Sequence, residues 1–265
     1  MIDPPRLRLA TESATSRALL ALERELGPSR ATGDRATRER FASDESPVQP
    51  RVPDIVVFAE TAGHVETTLR IAEAHGVPVT PRAGGTSRVG GAVPLAGGIV
   101  LCTAALSRIV DLDRRNSIVV VEPGVVLGAL HRQVEAEGLF YPPDPSSWES
   151  CMIGGNVAAN AGGPRALKYG NTRDYVLGLQ AHLMGGRTLR TGRRTAKGVV
   201  GYDVTSLLVG SEGTLAVFSE ITLKLLPDPP SIATVLAVYT DVAAATRGVI
   251  SVCGAGILPR CAELM

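Results

Sequence analysis

The sequence predicts an α+β fold, and three observations carry that reading. Residues 54–80 run strand, helix, strand, the pattern of a β-α-β unit. Residues 175–192 read instead as an antiparallel hairpin turning at Gly185-Gly186, and residues 220–227 as a further strand. Glycine-rich stretches without periodicity separate these parts, so the chain is not a uniform run of parallel β-α units.

Taken in order, residues 17–26 place leucines at 19, 20, 22 and 26, a helical spacing closed by Gly27-Pro28. The following polar, proline-punctuated stretch to Pro53 reads as a loop or linker arm. DIVVFAE (54–60) reads as a strand, and GHVETTLRIAEAHG (63–76) as a helix with Val65, Thr68, Leu69 and Ala72 on one face and Gly76 as its stop. VPVTP, GGIVLCTAAL and NSIVVVEPG supply further strands, rich in β-branched residues. LGALHRQVEAEG (127–138) is a helix with Leu127, Leu130 and Val134 on one face.

Residues 140–175 lack periodicity and are dense in Gly, Pro, Asn and Ser, which points to a functional loop region. In EITLKLLP, Ile221, Leu223 and Leu225 alternate inward against Thr222 and Lys224. After the break PDPP a new β-α piece begins: SIATVLAVYTD as a strand, then VAAATRGVISVCG as a helix with Val242, Ala245, Val249 and Val252 on one face, then a turn or strand at 255–265. A piece of about 35 residues encloses no core of its own, so it is expected to lean on the main domain or on another chain. The predicted divisions are therefore 1–52, a helix and arm; 53–229, the main domain; and 230–265, the opening of a second domain.

Composition narrows the function. With 27 basic and 26 acidic residues the net charge is +1, which lacks the basic footprint of a nucleic-acid binder. No signal-peptide pattern and no run of about 18 apolar residues is present, so a cytoplasmic location without a transmembrane segment is expected. Cys102, Cys151, Cys253 and Cys261 form no C-x-x-C pair, and His64, His75, His131 and His182 are scattered, so no metal site is predicted.

The chemistry lies in three glycine clusters. In PRAGGTSRVGGAVP (81–94), Gly84 and Gly85 leave amides bare, Thr86 and Ser87 add hydroxyls, and Arg82 adds a charge: a nest suited to a diphosphate. Neither G-x-x-x-x-G-K-[ST] nor G-x-G-x-x-G is present. A second cluster holds Gly154, Gly155, Gly162 and Gly163 with Asn156 and Asn160, where a flat ligand or a diphosphate could touch backbone. A third sets Gly210 and Gly213 around Ser211 and Glu212. Brought together, the three would suit one long nucleotide.

PRAGGTS, PPDPSS, IGGNVAANAGG, YGNTRDYVLGL and VGSEGTLAVFSEITLKLLP follow one another in an order and spacing that resembles the FAD-linked oxidase family of the vanillyl-alcohol oxidase/PCMH fold. The likeness is greatest to the glycolate oxidase FAD subunit and its D-lactate dehydrogenase relatives, and it covers roughly residues 53–265. It implies a PCMH-type FAD-binding domain of two α+β subdomains followed by a substrate cap. By motif, Arg82, Ala83, Gly84, Gly85, Thr86, Ser87, Gly91 and Ala92 would bind the pyrophosphate of FAD. Pro145, Ser146, Gly154, Gly155, Asn156, Asn160 and Gly162 would line the flavin and its ribityl chain, with Gly213 and Ile221 toward the flavin or adenine. No histidine falls in these loops, so the FAD is expected to be non-covalent. Ala83 and Ala216 stand where relatives often have glycine, which requires a negative φ at both.

The resemblance also implies that relatives continue past the position of residue 265 with the His-rich segments for metal binding, proton abstraction and substrate carboxylate recognition, so the cap is expected to be incomplete here and no catalytic residue is assigned. Two functions follow. One is oxidation of a D-2-hydroxy acid such as glycolate or D-lactate to the 2-keto acid, completed by a partner chain that supplies the cap or accepts electrons. The other is a catalytically incomplete FAD-binding fragment.

Overall fold

A computed structural model describes residues 9–195 and 197–265. The first layer begins with helix α1 (Glu12–Leu26), whose N-cap Thr11 accepts from Ala14 N–H and whose end is set by Gly27 at φ +90°. Strand β1 (Ala31–Thr32) and helix α2 (Arg35–Glu39) follow, then β2 (Ile55–Phe58), α3 (Ala62–His75), β3 (Val79–Arg82) and β4 (Ile99–Cys102). The sheet order is β1-β2-β4-β3, with β4 parallel to both neighbours and β1 antiparallel to β2. The predicted β-α-β unit is thus present, with β4 inserted between its two strands. Ala18, Leu22 and Leu26 of α1 and Val65, Leu69 and Ala72 of α3 form one core with Ile55, Val57, Ile99 and Leu101. The stretch read as an arm is folded onto this layer through β1 and the segment after α2.

The second layer is a five-stranded antiparallel sheet ordered β5-β6-β10-β8-β9. Its members are β5 (Ile109–Asp113), β6 (Ile118–Val121), β8 (Val176–His182), β9 (Thr188–Gly192) and β10 (Val217–Lys224). A ribbon of β7 (Leu139–Phe140) with β11 (Leu226–Pro227) closes one side. Helices α4 (Leu127–Glu135), α5 (Ile153–Ala159), α6 (Ala166–Tyr169) and α7 (Val204–Leu208) complete it. Leu127, Leu130 and Val134 pack on Val119, Val121, Leu179 and Ile221 as their spacing predicts. The hairpin turns through Met184–Gly186, with Gly185 and Gly186 both at positive φ.

The inward alternation expected in β10 is present, with Ile221, Leu223 and Leu225 all in the second core and Lys224 only half-buried. Burial extends to Ser219 and Thr222 as well, since β10 is the central strand of its sheet, and at its start Val217 joins the core that includes α3.

Residues 231–241 form no strand. A strand is stabilised by its ladder, and among the described residues no neighbour pairs with this one. Helix α8 (Val242–Gly254) does form, capped by Asp241, whose side chain accepts from Ala244 N–H at 2.7 Å; only its Ala245 is buried. Residues 255–265 form no strand either; their contact with the second layer includes Arg260, whose guanidinium stands 4.6 Å from the Phe140 ring centroid.

Candidate functional site

β3 ends at Arg82, and the backbone that leaves it toward β4 has no regular structure through Gly98. Gly85 and Gly90 take φ of +71° and +84°, a region L side chains rarely occupy. The loop is braced from within, since Ser87 Oγ accepts from Val89 N–H and Gly91 N–H at 3.2 Å each. Arg82 is engaged differently from the expectation. Although it lines the groove, its guanidinium packs on Gly85 and donates to Ser43 O at 2.7 Å.

The second cluster holds a helix that the sequence reading missed: Gly154 and Gly155 lie in the first turn of α5. Glycine ranks low in helices, yet the local packing demands it. Gly154 N–H bonds Pro123 O at 2.8 Å, and a Cβ on Gly154 would lie 2.5 Å from Pro123 Cβ. Gly155 faces the opposite way, where a Cβ would meet nothing nearer than Ala83 Cβ at 4.0 Å.

The third cluster hangs from the end of α5. Gly210 N–H bonds Val157 O and Glu212 N–H bonds Ala158 O, each at 3.0 Å. Arg173 locks the join: its Nη2 donates to Val209 O at 2.8 Å, and its own N–H donates to Asn160 Oδ1 at 2.9 Å. The first loop meets both others. Gly84 sits against Ser150 O and Met152, Gly213 against Pro81, and Gly91 against the Glu212 carboxyl.

Between the three runs one continuous groove of about 330 Å³. Of the predicted residues, Arg82 through Ser87, Gly91, Ala92, Pro145, Ser146, Gly154, Gly155, Asn156 and Gly213 line it. Three are elsewhere. Ile221 is fully buried in the second core, opposite Val121 and Leu179; Asn160 is spent at the left-handed end of α5; Gly162 lies against Asn171. Ala83 and Ala216 avoid positive φ, as required. The sequence reading passed over Met152, Phe218, Thr103 and Pro123, and Glu212, noted only as part of the third cluster, lines the groove too. Small residues at 158, 159 and 161 of VAANAGG were the available signal for a close wall.

The polar inventory fits a nucleotide with a long flat portion. Asn156 is 4% exposed, and its Nδ2 is buried without a hydrogen-bond partner at the groove wall. An orphan donor of this kind is stabilised by a ligand acceptor. Ser211 Oγ of the third loop is orphaned too. The lining contains no histidine, cysteine or tyrosine, so no side-chain nucleophile of those types is available there for covalent attachment. Burial, with Asp44 as a nearby like charge, pushes the Glu212 carboxyl above its ordinary range. Burial also raises Asp44, but hydrogen bonds from Ser46, Ala92 and Ser87 outweigh it and hold that carboxyl low.

The FAD binding domain family matches residues 53–192 of this chain, which takes in the first two loops and the hairpin. The chain belongs to the FAD-binding domain family. FAD is accordingly its cofactor. It is 42% identical to the glycolate oxidase subunit of Bacillus subtilis over 239 residues, 90% of this chain and 51% of that protein. It is 36% identical to a D-lactate dehydrogenase of Anaerostipes hadrus over 82% of this chain and 46% of that one. Among solved structures it superposes on 4-ethylphenol oxidase from Gulosibacter chungangensis with a TM-score of 0.73 at 21% identity, covering 84% of this chain and 44% of that one. The flavoprotein thus spans about half the length of the curated relatives it matches, and among its described residues no helix is long and apolar enough to cross a membrane.

Proposed function

We propose that the groove holds FAD with its pyrophosphate at residues 82–92 and its flavin and ribityl chain along Pro145, Ser146 and Gly154–Asn156, within a protein that oxidises D-2-hydroxy acids such as glycolate or D-lactate. The convergence of all three glycine clusters on one trench, with an open wall at Gly155 and an unpaired amide at Asn156, carries this reading. In it, residues 53–229 are the FAD-binding unit and 230–265 open the substrate domain, the location is cytoplasmic and nucleic acid is not a ligand. Asn160, Gly162 and Ile221 act at one remove, by holding the walls rather than touching the cofactor.

The chemistry a bound flavin supplies is two-electron oxidation of an alcohol to a carbonyl. This chain's residues bind, orient and exclude water. The bare amides of the first loop would receive phosphate oxygens, Thr86 would donate its hydroxyl proton to them, and Met152 and Phe218 give the trench apolar wall. The groove's one acidic side chain, Glu212, stands beside Gly91 at the phosphate loop. A base for the substrate hydroxyl is therefore placed outside this lining, in the further length that the relatives possess or in a partner chain.

Reconstitution with FAD followed by gel filtration tests the binding step. Flavin absorbance should co-elute with the chain at one per molecule; a colourless chain that binds NAD instead would overturn the assignment. Dye reduction with glycolate and D-lactate then separates an oxidase or dehydrogenase from a flavin-holding unit without turnover.

A further inference from the structure

We propose that residues 41–48, which precede the family match, are a positioning element that holds the loop 82–92 in the shape that receives the diphosphate of FAD; this rests on the flavin reading above. The contacts run from the entry of the loop to its exit. At the entry, the Arg82 guanidinium that bonds Ser43 O also stands over the Phe41 ring, 5.4 Å from its centroid. Phe41 is itself fixed edge-on to Phe58 of β2, with centroids 5.7 Å apart. In the middle, Arg88 pairs with Glu45 at 3.3 Å. Gly90 presses on Val48, so that a Cβ there would lie 2.6 Å from Val48 Cγ2. At the exit, Asp44 Oδ2 accepts from Ala92 N–H at 3.2 Å while its Oδ1 accepts from Ser46 N–H at 3.0 Å.

A glycine-rich loop without regular structure loses much conformational entropy when ordered, and a ligand that must order it binds more weakly. Anchoring by residues 41–48 meets that requirement before the ligand arrives. The sign of the Asp44 charge sharpens the argument. A carboxylate beside a diphosphate site opposes anion binding by Coulomb's law, so its contribution there must come from its hydrogen bonds. Shape and charge therefore predict opposite effects when Asp44 is removed.

The test compares the full chain with Asp44→Ala and Asp44→Asn by calorimetric titration with FAD, ADP and riboflavin. Asp44→Ala should weaken FAD and ADP by about tenfold each and leave riboflavin, which lacks the diphosphate, unchanged. Asp44→Asn, which keeps an acceptor but removes the charge, should recover most of that loss. Equal or tighter FAD binding by Asp44→Ala overturns the proposal, as does an equal loss for all three ligands, the mark of general loosening. Should Asp44→Ala fail to fold, Phe41→Leu keeps apolar bulk while removing the ring under Arg82, and should give the same ligand pattern at about threefold; unchanged FAD affinity there overturns the proposal as well. An unaltered chain that does not bind FAD would sink the flavin reading and this inference with it, whereas a normal wild type beside an unaffected variant sinks this inference alone.

Discussion

The indole of Trp148 stacks on the imidazole of His131, ring centroids 6.3 Å apart and planes inclined by 29°. Gly128 makes the approach possible, since a Cβ on it would crowd the indole at 3.1 Å. His131 Nε2–H donates to Pro143 O at 3.1 Å, and the ring is buried. Burial, reinforced by the Arg165 guanidinium, pushes its pKa down to about 4. A base held neutral in the folded state binds its proton more weakly than it does when unfolded. Its contribution is fully present above about pH 6.5 and is lost as pH falls toward 4, on the order of 3 kcal/mol in all. Urea unfolding followed by Trp148 emission should show stability declining over that window, and His131→Gln should flatten the decline. An unchanged slope in the variant would show that another group governs the acid limb.

Gly155 supplies a steric test of the groove. Its missing side chain faces open space bounded by Ala83. Gly155→Asp places a side chain and a negative charge in that space, and should lower FAD affinity by at least about 100-fold. Gly155→Ala, one methyl with room to sit, should stay within about tenfold. Arg190→Ala, on exposed β9 away from the lining, should retain flavin at full stoichiometry. Flavin absorbance per protein after gel filtration measures all three. Normal retention by the Asp variant would move the cofactor off this wall.

Glu212 ties cofactor binding to pH. Its carboxyl, raised by burial and by Asp44, stands beside Gly91 of the proposed phosphate loop. A diphosphate adds negative charge and raises it further, so binding takes up a proton. For a carboxyl with a raised folded pKa the favourable state lies at low pH and is lost as pH rises through that value. FAD affinity should therefore weaken as pH rises above the ordinary carboxylate range, and Glu212→Gln should tighten binding on the alkaline side by a few-fold and flatten the profile. Calorimetry in two buffers of different ionisation enthalpy reads the proton directly. No proton uptake by the unaltered chain would remove Glu212 from the phosphate end.

Much of this site was legible because its signals are local. Val65, Leu69 and Ala72 share a helical face whatever surrounds them, and Gly84-Gly85 declares a backbone that must stay bare. Helix α5 was hidden because Gly154-Gly155 argues against a helix on intrinsic propensity, and only the approach of Pro123 explains why glycine stands at 154. The strand expected at 231–241 failed for the complementary reason. Its residues favour extended structure, but a ladder needs a partner that no local pattern reveals. The role of residues 41–48 was equally invisible, since Asp44 and Ala92 meet across 48 residues.

Ile221 and Asn156 divide fold from site, although the motif likeness assigned both to the cofactor. Ile221 is packed in the central strand of the second sheet with Val121, Leu179 and Leu223. Ile221→Ala removes buried methyl groups and leaves a cavity, so unfolding free energy should fall by about 2–5 kcal/mol. FAD affinity, measured well below the transition, should hold within about twofold. Asn156 should behave in reverse. Its Nδ2 is already buried and unpaired, so Asn156→Leu removes an orphan donor of similar volume and stability should change by less than about 1 kcal/mol in either direction. The same change removes a polar side chain from a residue of the groove lining and should weaken FAD about tenfold or more. Chemical denaturation and flavin titration on the two variants form a crossed comparison. If Ile221→Ala lost flavin while Asn156→Leu kept it, the trench would have been assigned to the wrong side of β10.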